Sequence, residues 1–147
     1  MIRCFLPAMI FVTLTSCSRP SATIHFILPD GYKGVFKVRS SLMGAAVRKR
    51  EDGAHVYVIP SSGILIASTT KPLHRVVNTT AEYSSGAQIP WRRLGASKGQ
   101  LQSDGLYDLY VDSEGWFYFF IGSDAEYDSV KAHPGRGFQL GGITNSP

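Results

Sequence analysis

Short runs in which apolar and polar side chains alternate recur through most of the chain, and they are bounded by Pro, Gly and Asp. Thr23 to Leu28 is the first such run, and it stops at Pro29-Asp30-Gly31, where proline presets one φ and glycine permits a positive one. Gly34 to Ser40 places Phe36 and Val38 on one face and Lys37 and Arg39 on the other, the period of a half-buried strand. A hairpin over Pro29–Lys33 is expected to join these two strands. The apolar stretch Leu42–Val47 leads into a charged reversal, Arg48-Lys49-Arg50-Glu51-Asp52-Gly53. The runs His55–Ile59 and Ile64–Ser68 flank Pro60-Ser61-Ser62-Gly63 and predict a second hairpin.

Lys71 to Gly99 is the least patterned region, with Val76, Val77 and Tyr83 suggesting a strand before a loop around Ile89–Arg93. Leu106 to Asp112 sets Tyr107, Leu109 and Val111 against Asp108, Tyr110 and Asp112, and Ser113-Glu114-Gly115 supplies a turn. Trp116 to Ile121 then runs Trp-Phe-Tyr-Phe-Phe-Ile without a charged residue, which predicts a central strand covered on both faces. Ser123 and Glu126 have the spacing of a capping box, and Asp124, Glu126 and Asp128 favour the positive end of a helix dipole, so Asp124–Lys131 is expected to be a short helix ending near Pro134-Gly135. The last residues, 141–147, are expected to fray. Closely spaced strands with one late helix define an all-β fold, expected to be an antiparallel β-sandwich of Ig-like or transthyretin-like kind with one short helix near the C-terminus.

The first residues follow a different pattern. Arg3 precedes an apolar run from Cys4 to Leu14, too short to span a bilayer, which needs about 20 apolar residues, and interrupted by Pro7. The run ends in Leu14-Thr15-Ser16-Cys17, which resembles the bacterial lipobox: an aliphatic residue, two small residues, and a cysteine whose thiol accepts a diacylglyceryl group and becomes the mature N-terminus. The expected layout is therefore a lipoprotein signal peptide over 1–16, a lipidated Cys17 and tether over 17–22, a domain over 23–140 and a tail over 141–147. Several acyl chains, palmitate among them, would anchor the protein firmly, because each buried methylene contributes about 0.8 kcal/mol. The competing reading is an ordinary secretory signal cut elsewhere, which Pro20-Ser21-Ala22 serves poorly. Ser18 rather than aspartate after the cysteine favours the outer membrane if the cell has two.

Composition narrows the picture in two ways. The 147 residues are 44% hydrophobic and 12% aromatic, enough for one domain with a buried core. The two cysteines, Cys4 and Cys17, both lie in the export segment, so the folded part holds no disulfide and must rely on packing. The net charge of +4 is unevenly placed: Lys33–Lys98 carries eleven Lys/Arg against three Asp/Glu, while the chain from Gly99 carries two against seven. If the two regions form different faces, the protein is an electric dipole more than a uniformly basic surface; the plainer reading is a solvated β-surface with charges arranged by chance.

Three segments resemble a family of bacterial lipoproteins defined by a β-sandwich domain of unknown function. They are Leu28-Pro29-Asp30-Gly31-Tyr32-Lys33-Gly34, Tyr57-Val58-Ile59-Pro60 with Gly63-Ile64-Leu65, and Phe120-Ile121-Gly122-Ser123. The recurring residues are turn formers, so the resemblance implies a sandwich and says nothing of chemistry.

The search for chemistry returns little. His25, His55, His74 and His133 are scattered without the spacing of a zinc site. Asp124, Glu126 and Asp128 mimic the opening of a calcium loop, but Ser129 and Gly135 stand where glycine and glutamate are required. No catalytic residue, metal or cofactor is predicted. Trp91-Arg92-Arg93 is the segment best suited to ligand or surface contact, since guanidinium groups pair with phosphate or carboxylate and tryptophan stacks or enters a lipid interface. The expected role is a noncatalytic binding or structural module of the cell envelope. Its partners would be the bilayer, through acylated Cys17, and an envelope protein or polymer; nucleic acid is not expected outside the cytoplasm. The alternative is an envelope hydrolase or carbohydrate-active enzyme, in which two of Asp108, Asp112, Glu82 and His74 would share one cleft on separate strands.

Overall fold

A computed structural model describes residues 22–75, 78–92, 104–132 and 141–143. The signal segment and Cys17 lie outside these, as do Val76, Val77, Arg93 and His133. The strands are β1 (Thr23–Leu28), β2 (Tyr32–Ala45), β3 (Arg48–Lys49), β4 (His55–Val58), β5 (Ile64–Ala67), β6 (Asn78–Tyr83), β7 (Gln88–Ile89), β8 (Gly105–Val111), β9 (Phe117–Gly122) and β10 (Gly142–Ile143). A 3₁₀ helix covers Lys71–Arg75, and one α-helix, α1, covers Asp124–Ala132.

The strands form two sheets. Sheet I has the order β3-β4-β1-β6-β7, and sheet II has β10-β2-β9-β8 with β5 also against β2. Both are mixed, which corrects the antiparallel expectation. In sheet I, β1 runs parallel to β4 on one side and to β6 on the other; in sheet II, β2 runs parallel to β5. The cause lies in the turns. The Pro29–Gly31 turn, closed by Tyr32 N–H donating to the Pro29 carbonyl, and the Pro60–Gly63 turn, closed by Gly63 N–H donating to the Pro60 carbonyl, both form as the sequence indicates. Each of them passes the chain to the other sheet instead of pairing its neighbours. β5 returns to sheet II in the direction of β2, and β6 returns to sheet I in the direction of β4 and β1, so parallel ladders result. Neither β1–β2 nor β4–β5 is a hairpin.

The sheets face each other across one apolar cluster. From sheet I come Ile24, Phe26, Leu28, Tyr57 and Ala81; from sheet II come Phe36, Val38, Leu65, Leu106, Phe117, Phe119 and Ile121. Phe26 of β1 meets Phe36 edge-on at 5.2 Å and Phe119 at 4.8 Å, so rings from the two layers interlock at the centre. As predicted, β9 is interior to its sheet, between β2 and β8. Its Phe117, Phe119 and Ile121 enter this core, while Phe120 points to the opposite face.

That opposite face is closed by α1. The capping box forms as expected: Glu126 N–H donates to Ser123 Oγ at 3.3 Å, and the Glu126 carboxylate receives Ser123 N–H at 2.7 Å. Ser123 N–H and the Ser123 hydroxyl, both donating to it, hold the Glu126 carboxyl below its ordinary range. Tyr127 stacks on Tyr107 at 4.3 Å and, with Phe120 and Val35, makes a second apolar cluster. Within the tail, Gly142 and Ile143 pair with Lys33 and Tyr32 as an added strand. Gly141 N–H donates to the Val35 carbonyl at 2.7 Å, which pins the start of that strand to β2.

Candidate functional site

The side chains that sequence reasoning offered for chemistry point in different directions, and a bulge in β8 is one reason. Leu106 lies opposite Ile121, Tyr107 opposite Phe120 and Asp108 opposite Phe119; the register then slips, so that Tyr110 lies opposite Tyr118 and Val111 opposite Phe117. The extra residue reverses the phase of the strand. Asp108 consequently shares the inward side of the sheet with Phe119, whereas the Asp112 carboxylate receives the Tyr118 hydroxyl at 3.0 Å, on the outward side. The two carboxylates do not share a face, contrary to the simple alternation.

Asp108 borders a cleft of about 160 Å³ at the β8 edge, where Ile24, Leu73, Thr79 and Phe119 form much of the wall. Its tip reaches solvent. The apolar wall nonetheless desolvates the carboxylate and raises its pKa above the ordinary value. A raised carboxyl pKa means that the folded state prefers the neutral form. The associated stability is therefore present below the unfolded-state pKa near 3.8 and is lost as pH rises through the folded value. Asp108→Asn should accordingly melt higher than the parent at pH 7, with the difference vanishing below the unfolded carboxyl range. Paired thermal melts across pH check this, and a variant that melts lower at neutral pH would show that the charge is stabilising.

Asp112 is tied into the turn that precedes β9. Its carboxylate accepts N–H groups of Glu114 and Trp116, each at 2.9 Å. Burial tends to raise its pKa, but these amides and the Tyr118 hydroxyl outweigh it, and the carboxyl lies below the usual range. Around it sequence reasoning missed a surface feature. Lys37 sits 4.3 Å over the Trp116 ring, Arg39 lies 4.7 Å from the same ring, and Tyr110 stacks on Tyr118 at 4.5 Å. The alternation of Lys37 and Arg39 was visible; their aromatic partners depend on strand pairing and on the β8 bulge.

Glu82 is on the outward face of sheet I. Its carboxylate accepts a bond from Gln88 Nε2 at 2.7 Å and stands 3.2 Å from Nε2 of buried His25, whose Nδ1 is 2.8 Å from Thr80 Oγ1. The Gln88 and His25 contacts hold the Glu82 carboxyl low. His74 packs edge-on against Phe117 at 4.7 Å. Among the described residues, no three His, Cys, Asp or Glu side chains gather closely enough to hold a metal ion.

Trp91 and Arg92 lie in the seam between the layers. Leu106 N–H donates to the Pro90 carbonyl and Arg92 N–H to the Leu106 carbonyl, both at 2.9 Å, so the segment after β7 runs beside β8. Trp91 is half-buried against the main core cluster. The Arg92 side chain lies over Gly105, where a Cβ would come within 2.5 Å of its Cγ. Arg93 and Cys17 lie outside the described residues.

No family model and no curated protein matches this chain. Among solved structures, it is similar to a Bacillus anthracis protein provisionally described as a lipoprotein, at 15% identity and a TM-score of 0.42 over 86% of this chain and 84% of the other.

Proposed function

We propose that this chain is a lipid-anchored lipoprotein of the bacterial cell envelope whose domain, a β-sandwich, is a noncatalytic binding or structural module held beside a membrane. The observation that supports a noncatalytic role is the dispersal of the acidic side chains. Asp108 borders the β8 cleft, Asp112 secures a turn on the outer side of sheet II, and Glu82 engages His25 and Gln88 on the outer side of sheet I. A glycosidase instead needs two carboxyl groups about 5–10 Å apart across one scissile bond.

The cleft suits a small apolar group, with Asp108 at the rim to accept a hydrogen bond or meet a cation. Trp91 and Arg92 would add an aromatic and basic contact at the seam between the layers. The second reading, an envelope hydrolase, draws on one observation: the raised Asp108 carboxyl in an apolar surround is what a general acid requires.

The anchor rests on Leu14-Thr15-Ser16-Cys17 and on the five residues between Cys17 and Thr23, the first residue of β1. With Ser18 after the cysteine, a cell with two membranes would retain it in the outer one. The full chain grown with radiolabelled palmitate should incorporate label, Cys17→Ser should incorporate none, and the N-terminal peptide of the wild type should have the mass of an acylated Cys17. A native N-terminus at any other residue would refute the anchor.

A further inference from the structure

We propose that the Ser41–Gly44 bulge of β2 is a membrane-docking tip, which places Leu42 and Met43 in the bilayer interface. This rests on the lipid-anchored reading above and names the surface that would meet the membrane. Leu42 and Met43 are 102% and 94% exposed, a large apolar pair placed wholly in water. Clustered apolar exposure of this kind marks an interaction surface more often than scattered single residues do.

The exposure is built into the sheet. Ser40 and Ala45 both pair with Ala67 of β5, so the four residues between them are extruded from the ladder. Gly44 forms one foot of the extrusion, and a Cβ there would lie 2.2 Å from the Ala67 carbonyl oxygen. Ser68 N–H donates to the Ala45 carbonyl at 2.7 Å, and Val47 N–H donates to Ser68 Oγ at 3.2 Å, which fasten that same foot, while at the other foot the Thr70 hydroxyl donates to Ser40 Oγ at 3.3 Å.

The position of this tip selects its partner. Thr23 of β1 is level with Asn78 at the start of β6, and Ile24 with His55 at the start of β4, which in turn faces Lys49 of β3. The chain thus enters the domain at the end of sheet I that carries the Arg50–Ala54 turn. In sheet II, β2 and β5 run toward that same end, and the chain leaving β5 forms the Lys71–Arg75 helix packed against β1. Five residues separate Cys17 from Thr23, a reach of at most about 18 Å, comparable to the length of β1 itself. An acylated Cys17 therefore holds this end, with Leu42 and Met43, toward the lipid.

Exposed Arg48, Lys49, Arg50, Lys71 and Arg75 occupy the same end and suit anionic headgroups. Glu51 and Asp52 offset part of that charge, Asp52 lying 3.5 Å from Arg50, and Asp112 and Glu114 lie on its β8–β9 side. Apolar insertion is therefore the main contribution and charge the lesser one.

The test uses the acylated chain with Cys4→Ser and Leu42→Cys, reconstituted in phosphatidylcholine–phosphatidylglycerol vesicles. Acylation occupies the Cys17 sulfur, so a polarity-sensitive dye labels position 42 alone. Ser61→Cys, in the Pro60–Gly63 turn at the far end, is the control. The expected result is a blue shift at position 42 and loss of fluorescence to lipid-borne quenchers, with neither at position 61, and little change in high salt. Equal, water-like spectra at both positions would overturn the proposal. So would a blue shift at 42 that needs no vesicles and grows with protein concentration, since the occupant would then be a second copy. An N-terminal peptide without acyl chains would defeat the anchor alone. In that event Cys17→Ser/Leu42→Cys chains mixed with the same vesicles decide the tip separately: quenching at 42 supports it and its absence rejects it.

Discussion

Phe36→Ala is expected to cost about 3–5 kcal/mol of folding stability, the usual range for removing a fully buried aromatic ring. Phe36 is 0% exposed and sits where the layers meet. It stacks on Phe119 of β9 at 5.1 Å, meets Phe26 of β1 edge-on at 5.2 Å and faces Tyr32 at 6.3 Å. Alanine would leave a void lined by these rings, and strands hydrogen-bonded into two separate sheets cannot easily close over it. Domains of this size have total stabilities of roughly 5–15 kcal/mol, so much of the margin would be lost. Urea unfolding should show a lower midpoint with an unchanged slope, and Phe36→Leu, which keeps most of the volume, should lose less than half as much. A midpoint shifted no further than that of Ser61→Ala would mean that the centre of the core lies elsewhere.

Gly63→Ala is expected to cost about 2–4 kcal/mol through two separable effects. Gly63 has φ of 70°, a left-handed conformation that costs an L-residue roughly 1–2 kcal/mol. Its added Cβ would also lie 2.2 Å from the hydroxyl of Tyr32, which is fully buried and donates to the Val35 carbonyl at 2.8 Å. Burial has pushed that phenol up to about 12, so it is a neutral donor at any ordinary pH. Displacing it would strand a buried hydroxyl, while the Val35 carbonyl keeps the Gly141 N–H. Gly86 separates the two effects, because its φ is 88° and a Cβ there would have no atom within 4 Å. Gly86→Ala should therefore show only the conformational part. In a double-mutant cycle, Tyr32→Phe should recover part of the Gly63→Ala loss, since the clashing oxygen is gone. Equal losses for Gly63→Ala and Gly86→Ala would remove the steric contribution from the account.

Local patterns in the chain carried a good deal of this fold. Thr23–Leu28 forms a strand with the bounds its alternation implies, and the helix begins at the residue that the Ser123–Glu126 spacing indicates. The β8–β9 hairpin was visible as two apolar-rich runs around Ser113-Glu114-Gly115, and the structure adds the Asp112 carboxylate that fastens it. These features depend on contacts within a few residues, where side-chain period and turn chemistry act directly.

The cleft was far less visible. Simple alternation sets Asp108 on one face with Asp112, but the slip between Asp108 and Tyr110 turns it toward Phe119 and away from Asp112. Its apolar surround comes from Ile24, Leu73 and Thr79, which are distant in sequence. Nothing in the spacing of those residues marks them as neighbours.

From its own residues, the chain determined where strands and turns occur, that one short helix follows the most hydrophobic strand, and that no cysteine is left in the folded part to crosslink it. Tertiary structure alone decided that the Pro29–Gly31 and Pro60–Gly63 turns change layers, that β1 pairs parallel on both sides, and that Leu42 and Met43 stand clear of the sheet. The reason is physical: a turn's residues set how sharply the chain reverses. Which strand receives it depends on burying the faces of two sheets at once, a condition spread over the whole chain.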